Sequence, residues 1–144
     1  MTTHQPDPNM PIVAYIGNFR PPHSTENHVA ETLRRLGCDV TTLQEDDPNT
    51  WAAFHEHVPV NVYPDLVLWT RTGSLSPPDD VAHRMLAVCA DAGVPTVGFH
   101  LDRWWGLSRE GQVNESPFFR CTHVITADGG HDDDWARAGV NHVW

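Results

Sequence analysis

A change of hydrophobic period that repeats along the chain limits its fold more than any other feature. Short apolar runs alternate with stretches whose apolar residues recur every three to four positions. Pro11–Phe19, "PIVAYIGNF", is an apolar run of the kind buried on both faces of a sheet. Ser24–Gly37, "STENHVAETLRRLG", opens on a capping serine, sets Val29, Leu33 and Leu36 on one face and closes on Gly37. A second strand over Cys38–Gln44 follows, then a short helix over Asn49–Val58, capped by Asn49 and carrying Trp51 and Phe54, and a third strand over Pro64–Thr70. The next helix is capped by Ser76, has Pro77 in its first turn and Asp79 and Asp80 against its dipole, buries Val81, Met85, Val88 and Ala92, and ends at Gly93. A fourth strand over Pro95–His100, a fifth over Thr122–Ala127, a helix over Asp132–Gly139 and a sixth strand from Val140 complete the alternation.

Strands alternating with helices through short turns predict an α/β fold, a Rossmann-like parallel sheet with helices on both faces. Residues 1–10 read as a flexible polar leader and residues 11–144 as the domain. Val143 and Trp144 look like a strand entering a connection, so a second domain is expected beyond this chain.

Composition removes whole classes of chemistry. All nine basic residues other than histidine are arginine, so this chain supplies no Schiff-base, P-loop or general-base lysine. A net charge of −10 argues against nucleic acid, whose binding is driven by cations. The N-terminus has no signal-peptide pattern, and no apolar run approaches the ~20 residues that span a bilayer. Three widely spaced cysteines argue against a disulfide framework. A cytoplasmic location is therefore expected.

In open parallel sheets, ligands bind beyond the carboxyl ends of the strands. The first strand's exit delivers Gly17, Asn18, Arg20, His23, Ser24 and Glu26, and the third's delivers Thr70, Arg71, Thr72 and Gly73. His100, Asp102 and Arg103 follow the fourth strand, and Asp128, Gly129, Gly130 and His131 follow the fifth. The passage "PTVGFHLDRWWG" is the sharpest of these exits. A buried run gives way to an imidazole, a carboxylate, a guanidinium and two indoles, with His100 placed to orient or deprotonate a hydroxyl. Trp104 and Trp105 read as packing or interface residues. Ser24 and Glu26 also suit a helix start, and Asp128-Gly129-Gly130 also suits a plain turn. Ten histidines invite a metal, but His55-Glu56-His57 points its imidazoles to different helix faces and no HExxH occurs, so no metal site is assigned. The first loop, "GNFRPPHST", lacks the glycines of a dinucleotide fingerprint, and the acidic residues of a phosphoacceptor receiver are missing from the strand ends.

"YIGNFRPPHSTENHVAETLRRLGCDVTTLQE" resembles the opening of a GT-B-type glycosyltransferase. "DLVLWTRT", "PTVGFHLDRWWGLSRE", "PFFRCTHVITADGG" and "GVNHVW" are similar to the N-terminal half of spore-maturation-type and related phage and actinobacterial glycosyltransferases. The resemblance covers nearly all of the chain after residue 10. It implies one half of a GT-B architecture, the acceptor side of a cleft in which a sugar passes from a nucleotide-sugar donor to a hydroxyl acceptor. The nucleotide-sugar is a co-substrate, no further cofactor is implied, and a C-terminal Rossmann-like domain or partner chain supplies the donor site. The unit alone is then expected to be inactive. On this likeness His100 and Asp102 are the catalytic candidates, and Asn18, Arg20, His23, Ser24, Glu26, Arg71, Arg103, Asp128, Gly129 and Gly130 the substrate-binding ones. The alternatives are a non-catalytic binding or interaction module that docks a protein on Trp104-Trp105, and, less favoured, a histidine-based metal-dependent hydrolase.

Overall fold

The computed structural model describes residues 9–52, 54 and 63–144. Most of the expected leader and His55-Glu56-His57 lie outside the described residues. Six parallel strands form one sheet: β1 (Ile12–Gly17), β2 (Asp39–Gln44), β3 (Leu66–Thr70), β4 (Thr96–Phe99), β5 (His123–Ile125) and β6 (His142–Val143). Their spatial order is β2-β1-β3-β4-β5-β6, so the order reverses at β1 and the topological switch lies between β1 and β3. The Rossmann-like α/β fold expected from the periodicity is the fold observed.

Side chains alternate across the sheet. Val13 and Tyr15 of β1 pack toward α1 (Thr25–Arg35) with Ala30, Val40 and Leu68. Ile16 faces the other way, into a larger core with Trp69, Phe118 and Trp135, where α2 (Pro48–Ala52), α3 (Asp79–Asp91), α4 (Gln112–Glu115) and α5 (Asp132–Arg137) contribute Trp51, Met85, Val113 and Trp135. Helices therefore cover both faces.

The helix ends follow local chemistry. Ser24 Oγ accepts from the Asn27 amide at 3.1 Å, the N-cap expected of it. Gly37 and Gly93 adopt φ of +90° and +70°, and each lets the next amide (Cys38, Val94) bond back to a carbonyl of the last helical turn, Leu33 and Cys89. Three expectations need correcting. Leu36 falls at the C-cap of α1 and is 75% exposed. α3 begins at Asp79, after Pro77 and Pro78, because Ser76 spends its hydroxyl elsewhere. Its buried stripe runs Ala82-Met85-Cys89, leaving Val81 and Val88 at the margin.

Gly98 in β4 is set by packing. A Cβ there would meet Phe118 Cζ at 2.9 Å and the Phe118 carbonyl oxygen at 3.2 Å. Gly98→Ala is expected to cost about 1–3 kcal/mol by overpacking, read as a lower urea midpoint at unchanged slope.

Candidate functional site

The switch point is built from the backbone upward. Tyr15 of β1 and Thr70 of β3 share a buried hydroxyl hydrogen bond of 2.8 Å across the switch. Burial pushes the Tyr15 phenol up to about 12, so it stays neutral. At the exit of β1, Gly17 leaves room for Glu26: a Cβ there would lie 2.8 Å from Glu26 Cγ. The Glu26 side chain thus folds over the strand end. Thr25 and Glu26 from α1, Thr70 and Arg71 from β3, and His100 to Asp102 after β4 enclose a cavity of about 170 Å³.

Two groups in that cavity have complementary chemistry. Glu26 is 8% exposed, and its carboxylate makes no hydrogen bond or ion pair among the described residues. His100 is held edge-on against Trp104 and Phe118, with ring centroids 5.1 and 6.2 Å away. Its Nδ1 accepts from the Asp102 backbone amide at 3.1 Å, which puts the proton of the neutral ring on Nε2. Burial holds the imidazole below its ordinary value; Asp102 opposes this, and Arg109 and Arg71 reinforce it. His100 is therefore a neutral N–H donor with its basic nitrogen already engaged. This corrects the expectation that it deprotonates a hydroxyl. Asp102 is not part of a relay to it either: its carboxylate lies 3.9 Å from Nδ1 and accepts from Arg109 Nη1 at 3.2 Å.

A larger hollow of about 470 Å³ opens beside the first, lined by Arg71, Gly73, His100, Asp102, Trp104, Arg109 and Gln112. Arg71 is fixed by Ser76 Oγ and Gln112 Oε1, both at 3.2 Å, and Arg109 by the Arg103 carbonyl at 2.8 Å. The two guanidiniums lie 6.0 and 5.0 Å from the Trp104 ring centroid.

Other expected site residues lie elsewhere. Asp128 is fully buried beneath the β4 exit, where it accepts from the amides of Trp104 and Trp105 and from Thr126 Oγ1. His142 Nε2 lies 2.8 Å from the same threonine oxygen, so His142, Thr126 and Asp128 tie β5 and β6 to the loop that carries Asp102 and Arg103. Asp128 positions the site and cannot also bind a ligand. Gly129 is packed on the Trp144 ring, and Gly130 only turns the chain. Asn18 accepts from Gln44, Arg20 pairs with Asp46, Ser24 is spent on its cap, and His23 and Arg103 are exposed away from both hollows. Trp104 and the half-buried Trp105 join Phe119 and Trp135 in the aromatic core, which rules them out as an exposed docking surface.

Sequence reasoning missed Arg109, Gln112 and Glu45. Glu45 follows β2, the one exit passed over among the first five strands, in "QEDD". It is fully buried and accepts from Trp69 Nε1 at 2.9 Å, the Thr72 amide at 2.8 Å and Ser76 Oγ at 3.3 Å. Burial raises its carboxyl, and these donors only partly pull it back. A raised folded-state value favours the acid form, so this contribution is full below the unfolded value of about 4.3 and is lost as pH rises through the folded one. The stability advantage of wild type over Glu45→Gln is accordingly expected to shrink as pH rises above about 4, as measured by urea unfolding. A hollow of about 510 Å³ lies beside Glu45, between α2 and residues 74–81. Its walls are chiefly proline and apolar groups and Glu45 is already satisfied, so the chemistry sits at the smaller cavities.

No group of three or more His, Cys, Asp or Glu residues able to hold a metal ion occurs among the described residues, and none of their helices is long and apolar enough to cross a membrane. No family model matches the chain, and no curated protein matches it.

Proposed function

We propose that this chain is the acceptor-side unit of a glycosyltransferase, with the acceptor hydroxyl seated between Glu26 and His100. The observation that carries the reading is the pairing, in one cavity at the switch point, of an unpartnered carboxylate with a neutral Nε2–H donor. A hydroxyl both donates and accepts, so it satisfies both groups at once. Two cations or a lone phosphate would satisfy only one of them. The family likeness of the strand exits supports the same reading.

In a direct displacement the acceptor oxygen forms its bond to the anomeric carbon as the bond from that carbon to the diphosphate oxygen breaks. The hydroxyl proton passes to Glu26, and the electron pair leaves with the nucleoside diphosphate. His100 Nε2–H holds the acceptor oxygen in line, and the donor side of the cleft stabilises the leaving charge.

The reading is tested by titrating the ¹⁵N-labelled chain with a neutral methyl glycoside. Saturable shifts at the Glu26 amide and the His100 ring, abolished in Glu26→Gln, are expected. Shifts confined to other surfaces would remove the acceptor reading and favour a module that binds something else.

A further inference from the structure

The hollow beside the acceptor cavity has a chemistry the hydroxyl does not use. Arg71 commits Nε and Nη1 to Ser76 and Gln112, and Arg109 commits Nε and Nη1 to the Arg103 carbonyl and Asp102. Nη2 of both guanidiniums makes no hydrogen bond among the described residues. Trp104 borders the same hollow and is 2% exposed.

Charge does not make this a bare cationic patch. Asp102 holds Arg109, and Glu45 and Asp79 attract Arg71. Asp102 fixes the Arg109 fork and Ser76 and Gln112 fix the Arg71 fork, and both border a hollow of about 470 Å³ in a chain of net charge −10. Planar guanidiniums held this way suit the oxygens of a carboxylate or phosphate.

We infer that the hollow bounded by Arg71, Trp104, Arg109 and Gln112 is an oxyanion subsite. Resting on the acceptor reading, the molecule in the switch-point cavity then carries its hydroxyl next to an acidic group, or its acceptor hydroxyl lies beside the diphosphate of the donor. Both sources offer the same oxygens to the same forks.

The test follows side-chain N–H resonances of the labelled chain during titration with inorganic phosphate at constant ionic strength. Saturable shifts at the side chains of Arg71 and Arg109 are expected, with affinity falling about ten- to a hundredfold in Arg109→Gln. Arg109 is a surface-side residue, so that variant stays folded; Arg71→Gln is the second variant, and the same weakening is expected wherever its amide spectrum remains native. Displacement of phosphate by glucuronate points to an acidic acceptor, and displacement by uridine diphosphate to the donor; either supports the subsite. A response no larger than that to sodium chloride, or phosphate binding unchanged in Arg109→Gln, overturns it. A methyl glycoside that shifts Glu26 and His100 while phosphate shifts nothing overturns the subsite and leaves the acceptor reading standing. Phosphate binding without any glycoside response does the reverse.

Discussion

Replacing Asp128 by alanine is expected to lower the unfolding free energy by about 3–5 kcal/mol. The carboxylate is fully buried and accepts from the Trp104 amide at 2.9 and 2.8 Å, the Trp105 amide at 3.1 Å and Thr126 Oγ1 at 2.9 Å. Alanine leaves two backbone amides and a hydroxyl without an acceptor in an apolar surround, and each such group costs about 1–3 kcal/mol. Asp128→Asn keeps the volume and one acceptor oxygen, so a smaller loss is expected from it. Urea unfolding followed by tryptophan fluorescence measures both. Under 1 kcal/mol for the alanine variant would mean that the loop after β4 is held by its indoles alone.

On the proposed reading, Glu26→Gln is expected to slow sugar transfer by about 10²–10⁴-fold, the usual size of a lost general base. Its effect on stability is expected to be small beside that of Asp128. Glu26 gains only about 0.3–1 kcal/mol from the first turn of α1, and its carboxylate makes no hydrogen bond or ion pair among the described residues. Neutralising it should leave the urea midpoint nearly unchanged. Lost turnover with undiminished stability marks a group kept for its ligand, whereas a structural role would lower both together. His100→Ala removes the opposing donor, and a weaker acceptor affinity is expected from it at unchanged pH dependence, because His100 carries no proton in the reaction.

The architecture was legible because each element announces its own period and ends. Ser24 and Gly37 mark α1 by capping chemistry alone, and the apolar run of β1 leaves no alternative to a buried strand. Arg71 and His100 could be placed at one rim because both follow buried strands, and parallel strands put their exits on one side. What could not be read was how each polar group is spent. Asp128 looked like a ligand residue from its position, and only the inward turn of its side chain onto Trp104 and Trp105 makes it a brace. The same holds for Ser76, whose hydroxyl bridges Arg71 and Glu45 instead of capping α3. Arg109 and Gln112 reach the site from a loop and a short helix with no periodic signal, so proximity to Trp104 was invisible before the chain was folded.

The tautomer of His100 tests the account most directly. A long-range ¹H–¹⁵N correlation spectrum of the chain at neutral pH should show Nε2 protonated and Nδ1 unprotonated, persisting as pH falls below the ordinary histidine range. A ring protonated at Nδ1, or one that exchanges between both forms, would leave no fixed donor in the cavity that Glu26 shares and would contradict the proposed hydroxyl site.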